Sequence, residues 1–468
     1  MAYDVIVLGS GPGGYPAAIR ASQLGFKVAI IEKESLGGIC LNWGCIPTKA
    51  LLKSAQVYEY MKHSAAYGIQ ASGVQHDFGA VVGRSRGVAD KMSKGVNFLM
   101  KKNKIDVIMG YGKVKGKGQI EVSAADGSKK IVEGKYIIIA TGGRSRELPN
   151  LKQDGQKVIG YREAMVLPQQ PKSMIIVGSG AIGVEFAYFY NSMGTKVTIV
   201  EFMPRIVPVE DEDVSKELEK QYKKQGIEIM TNASVEAVDT SGAGVRAKVK
   251  TQAGEVVLEA DVVLSAVGVV ANIENIGLEE SGIKTEKGKI VVDKFGQTSL
   301  PGVFAIGDCT PGQALAHVAS KEGINAAEYI GYMEKKFHHA PEAMDYGNIP
   351  GCTYCTPEIA SVGMTEKAAR EAGYEVKVGK FPFMASGKAS AAGATEGFVK
   401  VIYDAKYGEF LGCHMIGANV TEMIAEAVTA RKLETTAHEI LNAVHPHPTM
   451  SEALKEATAV AYGEAIDI

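Results

Sequence analysis

One dinucleotide-binding pattern occurs twice in this chain of 468 residues, and the repetition limits the folds open to it. In the first copy, the apolar run 5–8 leads into G-x-G-x-x-G at Gly9, Gly11 and Gly14; a helix-like stretch and a second apolar run ending in Glu32 follow. Gly9 permits a tight turn, Gly11 lets the backbone approach a pyrophosphate, and Gly14 lets the helix pack close to the strand. Glu32 can accept hydrogen bonds from ribose hydroxyls.

The second copy has its glycines at Gly178, Gly180 and Gly183 and its acid at Glu201. The acid follows the first glycine by 23 residues in both copies, so coincidence is a poor explanation. A carboxylate at this point accepts from a free 2′-OH and repels a 2′-phosphate, so Glu201 favours NAD over NADP. Arg205, four residues after Glu201, leaves NADP open as an alternative, because its side chain could contact the 2′-phosphate.

The composition is that of an ordinary globular chain and excludes several functions. Lys+Arg number 51 and Asp+Glu 53, for a net charge of -2, so no attraction to nucleic acid or to an anionic membrane is expected. The sequence has no secretory signal pattern and no apolar stretch of about 18 residues. We expect a cytoplasmic protein, and a processed organellar enzyme stays open.

Two cysteines, Cys40 and Cys45, lie between the two motifs with four residues separating them. Zinc sites have shorter spacings and a second ligand pair, which is missing here, so no metal is predicted. Pro47 fits the first turn of a helix, predicted to run to about Met61, whose N-terminus favours a thiolate at Cys45. The pattern indicates a redox-active pair, with two merely buried cysteines as the alternative.

The segment from Cys40 to Lys49 resembles the active-site segment of the pyridine nucleotide-disulfide oxidoreductases, and the resemblance covers essentially the whole chain. Residues 137–143 and 298–308 resemble the family's further flavin-contacting segments. The resemblance implies FAD in the first dinucleotide site, NAD in the second, and a redox-active disulfide between Cys40 and Cys45. Beyond the two motifs, the cofactor-contacting residues that it implies are Lys49, Thr141, Gly142, Glu185, Gly268 and Asp308.

The resemblance implies specific roles for three of these residues. Asp308 is expected to bind the ribityl chain of the flavin. Lys49 corresponds to the family lysine near flavin N5, and Glu185 to its ion-pair partner. A lysine there would stabilise the electron-rich reduced flavin.

Residues 445–452, near the C-terminal end, read H-P-H-P-T-M-S-E. Two X-Pro steps make a stiff, extended lead-in. A helix from about Glu452 to Tyr462 should follow, capped by Thr449 or Ser451.

His447 and Glu452 are close enough along the chain to pair as a histidine base oriented by a carboxylate. From the residues alone, a structured turn is an equal alternative. The segment resembles the H-P-T-L-S-E signature of the family members that oxidise dihydrolipoamide, with Met450 in place of leucine. The resemblance implies that His447 is the acid-base catalyst, Glu452 its orienter, and His445 a supporting residue.

The implied activity is the oxidation of dihydrolipoamide, or of dihydrolipoyl groups on carrier proteins, with electrons passing through the disulfide and FAD to NAD+. The implied partners are a second copy of the chain, which supplies the base of each active site, and components of a 2-oxoacid dehydrogenase or glycine cleavage complex. Three alternatives remain: another NADH-dependent disulfide reductase of the family, a chiefly structural complex subunit, and an NADH oxidase or quinone reductase with idle cysteines.

Alternating strands and helices predict an α/β protein with two Rossmann-like dinucleotide-binding domains and a C-terminal α+β dimerisation domain. The predicted domains are residues 1–148, the first part of the FAD domain; 149–272, the NAD domain; 273–345, the return to the FAD domain; and 346–468, the interface domain.

The remaining cysteines and the single tryptophan receive less specific predictions. Cys352 and Cys355 are read as structural residues on a strand, where positions i and i+3 point to opposite faces and cannot form a disulfide. Cys309 and Cys413 are expected in the core. Trp43, between the two redox cysteines, is expected to shape access to them.

Overall fold

The computed structural model describes residues 2–468, which divide into two compact units. The first comprises the chain up to Leu51, Gly79–Arg146 and Gly268–Met344; the second comprises Leu52–Phe78, Glu147–Val267 and Asp345–Ile468.

Strands and helices alternate near the start of the chain and over residues 158–230, whereas residues 106–159 and 228–305 form runs of successive strands. The strands are β1 (Tyr3–Leu8), β2 (Val28–Glu32), β3 (Asp106–Met109), β4 (Tyr111–Val114), β5 (Gln119–Ser123), β6 (Lys129–Ile139), β7 (Gly143–Ser145), β8 (Val158–Ile159), β9 (Ser173–Val177), β10 (Lys196–Val200), β11 (Glu228–Met230), β12 (Ser234–Asp239), β13 (Val245–Thr251), β14 (Gly254–Ala260), β15 (Val262–Ser265), β16 (Val269–Ala271), β17 (Thr285–Glu286), β18 (Lys289–Ile290), β19 (Val303–Ala305), β20 (Gly351–Thr353), β21 (Glu358–Gly363), β22 (Val376–Pro382), β23 (Phe398–Asp404) and β24 (Phe410–Gly417). The helices are α1 (Gly14–Gln23), α2 (Gly38–Trp43), α3 (Cys45–Lys62), α4 (Phe78–Lys102), α5 (Tyr161–Ala164), α6 (Ala181–Ser192), α7 (Glu212–Lys224), α8 (Ala316–Met333), α9 (Glu366–Glu371), α10 (Gly387–Ala392), α11 (Val420–Lys432), α12 (Ala437–Asn442) and α13 (Glu452–Tyr462).

The first unit is built on a sheet with strand order β3-β2-β1-β6-β5-β4, and β19 pairs with β6. The strands β1, β2, β3, β6 and β19 are parallel, whereas β4 and β5 are antiparallel. Strand β1 ends in four consecutive buried apolar residues, as expected for a parallel strand covered on both faces. Small residues on α1, namely Ala17, Ala18 and Ala21, are buried against one face of the sheet, which brings the helix close to the strands.

The second unit contains a wholly parallel sheet, β11-β10-β9-β15-β8, and an antiparallel one, β12-β13-β14. Its C-terminal part is the antiparallel sheet β20-β21-β24-β23-β22, against which α11 and α13 pack. All residues of β23 and β24 are buried. The predicted fold class, α/β with two Rossmann-like parts and a C-terminal α+β part, is confirmed.

Most predicted elements agree with the structure, and the exceptions lie around the cysteines. The helix predicted from Pro47 begins two residues earlier, at Cys45, because the Gly44 carbonyl already accepts the Thr48 N–H at 3.0 Å. The short helix α2, which contains Cys40, was not predicted. Strand β20 ends before Cys355, so the argument from strand faces was wrong for that residue.

Among residues 2–468, no helix combines the length and the apolarity that crossing a bilayer requires.

Candidate active site

The two glycine motifs form tight turns with the same geometry. Gly9 has φ +104° and Gly178 has φ +96°, a conformation that L side chains rarely adopt. A Cβ on Gly14 would overlap the carbonyl oxygen of Gly9, and one on Gly183 would overlap that of Gly178. Each helix therefore lies so close to its strand that only glycine fits at this position, which is the close packing predicted from the sequence.

The middle glycine of each motif faces open space instead. A Cβ on Gly180 would meet no atom within 4 Å, and one on Gly11 only the Cα of Gly38 at 4.0 Å. Helix α6 begins directly after Gly180, so its unpaired N–H groups lie beside that space. Bare backbone and a helix N-terminus fit an approaching pyrophosphate.

The acid of the second motif is fixed in place by hydrogen bonds. Glu201 is 6% exposed; its Oε2 accepts from the Ser179 amide at 2.8 Å and hydroxyl at 2.5 Å, and its Oε1 from the Met203 amide at 2.7 Å. Arg205 contacts Glu212 at 3.4 Å, so its guanidinium is engaged with a carboxylate. This arrangement favours a ribose hydroxyl over a 2′-phosphate.

The first motif repeats this arrangement. Oε2 of Glu32 accepts from the Ser10 amide at 3.0 Å and hydroxyl at 2.6 Å, and its Oε1 accepts from the Glu34 amide at 2.8 Å. In the same unit Asp308 lies directly after β19, where burial raises the pKa of its carboxyl against the opposing charge of Lys289. A carboxyl held in this setting fits an acceptor for a ligand hydroxyl.

The loop after β6 and the start of β16 contain three further predicted cofactor contacts. Gly142 and Gly268 have positive φ angles of +69° and +104°, and a Cβ on either would meet no atom within 4 Å. The Thr141 carbonyl accepts from the Asn272 amide side chain at 3.1 Å, which ties the loop to the end of β16. Open backbone at these positions leaves room for a ligand.

Cys40 and Cys45 form a disulfide with a Cα–Cα distance of 4.7 Å, within the normal range. Cys40 lies in α2 and Cys45 is the first residue of α3, a helix of 18 residues. Both are half-buried. The helix N-terminus favours negative charge on the Cys45 sulfur once the disulfide is reduced.

His447 and Glu452 lie together, as predicted. The Nδ1 of His447 is 2.9 Å from Glu452 Oε1, and the Thr449 amide donates to Glu452 Oε2 at 2.7 Å. Burial would raise the pKa of Glu452, but these hydrogen bonds outweigh it and lower that pKa. The His447 side chain is 77% exposed, so its other ring nitrogen can reach a substrate.

The predicted cap of α13 was wrong. Ser451 stands at the N-cap position but its side chain caps no amide, and the Thr449 hydroxyl donates to the Pro446 carbonyl. The carboxylate of Glu452 accepts the Thr449 N–H through one oxygen, and its other oxygen faces His447.

His445 is a support residue in the structure, with a partner that the sequence did not reveal. Its side chain is 7% exposed, its Nε2 lies 2.7 Å from Glu426 Oε1, and its Nδ1 lies 3.0 Å from the Ala443 carbonyl oxygen. The pair anchors the extended segment that leads to His447.

Lys49 lies in α3 of the first unit, whereas Glu185 lies in α6 of the second, where it is 5% exposed and accepts from the Tyr354 amide at 2.9 Å. The ion pair between Lys49 and Glu185 stays a prediction.

The other four cysteines form no disulfide. Cys309, Cys355 and Cys413 are fully buried, and burial raises the pKa of all three thiols, that of Cys309 to about 11. Thiols in this state are protonated and unreactive near neutral pH, which agrees with the structural role predicted for them. No group of three or more His, Cys, Asp or Glu side chains suited to a metal occurs among residues 2–468.

One buried charge cluster in the second unit was missed. Lys400, on β23, is 5% exposed and lies within 3.1 Å of carboxylate oxygens of Asp211, Asp213 and Glu366. Burial would lower the pKa of Lys400, but these carboxylates outweigh it and raise that pKa. A lysine inside an otherwise apolar strand was the available sequence signal.

Comparison with known proteins places the chain in a family. Residues 3–323 match the family described as pyridine nucleotide-disulphide oxidoreductase, and residues 349–458 match its dimerisation domain. The chain belongs to the pyridine nucleotide-disulphide oxidoreductase family. This confirms the resemblance stated from the sequence, and the dimerisation domain supports the predicted homodimer.

Individual members of the pyridine nucleotide-disulphide oxidoreductase family match over nearly the full length. A dihydrolipoyl dehydrogenase of Zymomonas mobilis is 50% identical, with 99% of each chain covered, and one of Bacillus subtilis is 45% identical, again with 99% covered. Among solved structures, LpdA from Mycobacterium tuberculosis superposes with a TM-score of 0.89 at 26% identity, covering 97% of this chain and 99% of that one. The HOCl-induced flavoprotein disulfide reductase RclA from Escherichia coli reaches 0.85 at 26% identity, with 98% and 100% covered.

Membership of the pyridine nucleotide-disulphide oxidoreductase family confirms the predicted use of FAD and NAD(H). The residues present fit two dinucleotides. Each motif combines an open glycine, Gly11 or Gly180, with a buried, oriented carboxylate, Glu32 or Glu201.

Proposed function

We propose that this protein catalyses the dihydrolipoyl dehydrogenase reaction, in which a dihydrolipoyl dithiol and NAD+ give the cyclic disulfide, NADH and a proton. The observation that carries the proposal is the Cys40–Cys45 disulfide at the start of α3. The names of the relatives and the oriented His447 support it.

The proposed exchange begins with proton transfer. His447 takes the proton of one substrate thiol, and the charge of Glu452 stabilises the imidazolium that forms. The substrate thiolate attacks the Cys40 sulfur, the Cys40–Cys45 bond breaks, and Cys45 leaves as a thiolate. Cys45 is the better leaving group because it begins a helix.

The second substrate thiol then closes the ring. It attacks the substrate sulfur of the mixed disulfide and releases Cys40 and the oxidised product, while the imidazolium of His447 gives its proton to the departing Cys40 sulfur and accepts that of the second thiol. When bound, FAD would supply two-electron redox chemistry between the reduced cysteine pair and NAD+. Lys49 and Asp308 would hold the flavin, and Glu201 the adenosine ribose of NAD+.

We also propose the wider organisation predicted from the sequence. The FAD domain comprises residues 1–148 and 273–345, the NAD domain 149–272 and the interface domain 346–468. The dihydrolipoyl group is supplied by a carrier protein of a 2-oxoacid dehydrogenase or glycine cleavage complex. A dimer in which His447 of one subunit serves the cysteines of the other completes each site.

The test is a steady-state assay of the purified protein with free dihydrolipoamide and either NAD+ or NADP+. We expect turnover with NAD+ and no added partner, and its loss in Cys40→Ser, with Cys309→Ser as a fold control. A protein that turns over only inside a complex would instead be a structural subunit. NADH oxidation by oxygen or a quinone, undiminished in Cys40→Ser, would indicate idle cysteines and overturn the proposal.

A further inference from the structure

Helix α4 packs against the disulfide segment. The Ser85 hydroxyl donates to the Pro47 carbonyl at 2.8 Å, and the Arg84 guanidinium donates to the Ala50 carbonyl at 2.7 Å. These consecutive residues of α4 thus contact the first two turns of α3, directly after Cys45. The first turns of α4 therefore lie beside the helix that begins at Cys45.

One residue further along α4, Arg86 stacks on Trp43. The Arg86 guanidinium lies 4.2 Å from the centre of the Trp43 ring, and the Trp43 indole N–H donates to Glu34 at 3.1 Å. Burial lowers the pKa of Arg86, which the charge of Asp90 opposes. The stacked pair holds the tryptophan, which lies between the two cysteines in sequence, in one orientation.

The outer face of α4 is basic. The helix has six basic residues and one acidic residue, whereas the whole chain has a net charge of -2. Its buried side is formed by Ser85, Ala89, Val96 and Met100. On the exposed side, Lys91 and Lys94 are one turn apart, and Lys101 and Lys102 continue the charge into the last turn.

Two large apolar side chains accompany these lysines. Phe98 is 64% exposed and Met92 is 39% exposed. Phe98 follows Lys91 by seven residues, so the two lie along the same side of the helix. Phe98 thus adds an exposed aromatic side chain to the basic face, and aromatic residues are enriched at protein interfaces.

We propose that this face, Lys91, Lys94, Phe98, Lys101 and Lys102, docks the acidic protein domain that carries the dithiol substrate. The inference rests on the proposed function and names its partner by chemistry: a domain with surface carboxylates and a dithiol on a flexible side chain. The basic face guides and orients the domain, and its arm passes Trp43 to reach Cys40. Charges outside the reacting centre act mainly on association rate, so the small substrate should not need them.

The test uses Lys91→Glu/Lys94→Glu as the variant and Lys220→Glu/Lys223→Glu on α7 as the matched control. The control lysines have the same spacing, lie exposed on another helix and give the same change of charge. The probes are free dihydrolipoamide, an acidic single domain bearing dihydrolipoyl-lysine, and the same domain with its surface carboxylates changed to amides.

We expect kcat/KM for the acidic domain to fall by at least about fivefold in the α4 variant and to lose most of its dependence on salt. In the α4 variant, kcat/KM for free dihydrolipoamide should stay within about twofold of the parent. In the α7 control, kcat/KM for both substrates should stay within the same range. With the neutralised domain, kcat/KM should be the same for both variants. An undiminished rate with the acidic domain would overturn the docking surface.

Two other outcomes would also overturn the docking surface. An equal loss with free dihydrolipoamide would mean that the lysines act on the disulfide itself. A shift to monomer in size-exclusion chromatography would mean that a second copy of the chain covers this face. If the parent protein does not oxidise free dihydrolipoamide, the proposed function fails, whatever the lysines do.

Discussion

The Nδ1 of His447 lies 2.9 Å from Oε1 of Glu452, and Oε2 of the same carboxylate accepts the amide of Thr449 at 2.7 Å. One carboxylate thus fixes both the start of α13 and the orientation of an exposed imidazole. The ring nitrogen that faces Glu452 is occupied, so the other one is available for proton transfer.

This pairing predicts unequal effects of two substitutions. His447→Gln removes the base and should lower kcat by roughly 10²–10⁴-fold. Glu452→Gln loses the charge and one of the two accepting oxygens and should cost about tenfold to a hundredfold. Because hydrogen bonds lower the pKa of Glu452, it stays ionised above about pH 5, and this loss should not vary across an assay at higher pH. Glu439→Gln, in the exposed cap of α12, is the control; a loss of similar size there would contradict the assigned role.

We propose that His447 serves the cysteines of the partner subunit, and mixed dimers can test this. His447→Gln and Cys40→Ser are each inactive alone, but a mixed dimer would combine intact cysteines from one chain with an intact His447 from the other. Random exchange makes roughly half the dimers mixed with one good site each, so activity should recover to about a quarter of the parent. Differential tags verify exchange, and verified mixed dimers without activity would rule out the shared site.

The position of Cys45 at the first residue of α3 predicts different behaviour of the two sulfurs. We propose that Cys45 is the sulfur on the flavin side, so in Cys40→Ser it should stay a thiolate beside oxidised FAD, stabilised by the helix N-terminus, and give a long-wavelength absorbance band. Cys45→Ser should lack the band. A band in the second variant and not in the first would show that the two roles are exchanged.

The hydrogen bonds of Glu201 predict a strong preference for NAD+. Glu201→Gln should lower kcat/KM for NAD+ by about tenfold or more, because it weakens hydrogen bonds to a charged group worth roughly 1.5–3 kcal/mol. It should not by itself create good use of NADP+, because Arg205 is held by Glu212. Steady-state assays with both nucleotides check this, and equal kcat/KM for the two in the parent protein would refute the preference.

The buried Lys400 cluster predicts a stability effect that depends on pH. Lys400→Met leaves the carboxylates of Asp211, Asp213 and Glu366 without their buried cation and should destabilise the protein by about 3–5 kcal/mol at neutral pH. Hydrogen bonds to Lys400 help lower the pKa of Asp213 and Glu366, so this stabilisation is present above their ordinary pKa values of about 4 and is lost as pH falls through the lowered ones.

Thermal unfolding at pH 7 and at about pH 2.5 measures this effect, and the difference between Lys400→Met and the parent should shrink at the lower pH, where the carboxylates are protonated. Lys380→Met is the matched control, since Lys380 contacts Asp213 at 3.5 Å but is 47% exposed. Lys380→Met should lower the free energy of unfolding by less than about 1 kcal/mol. Equal losses for the two lysines would show that burial does not strengthen the cluster.

Local patterns in the sequence were enough to predict the two dinucleotide folds and their glycines. The spacing of Gly9, Gly11 and Gly14 and its repeat at Gly178 depend on backbone conformation and close packing within about 25 residues. The pairing of His447 with Glu452 is also local, since the two are five positions apart in the sequence. Such features follow from short-range sterics and hydrogen bonding.

Contacts between distant parts of the chain were decided only by the tertiary structure. Arg86 reaches Trp43 across 43 residues, and Lys400 meets Asp211 across 189. Nothing in the sequence around Trp43 or Lys400 specifies which distant helix or loop will supply a partner, because packing of whole elements brings these side chains together.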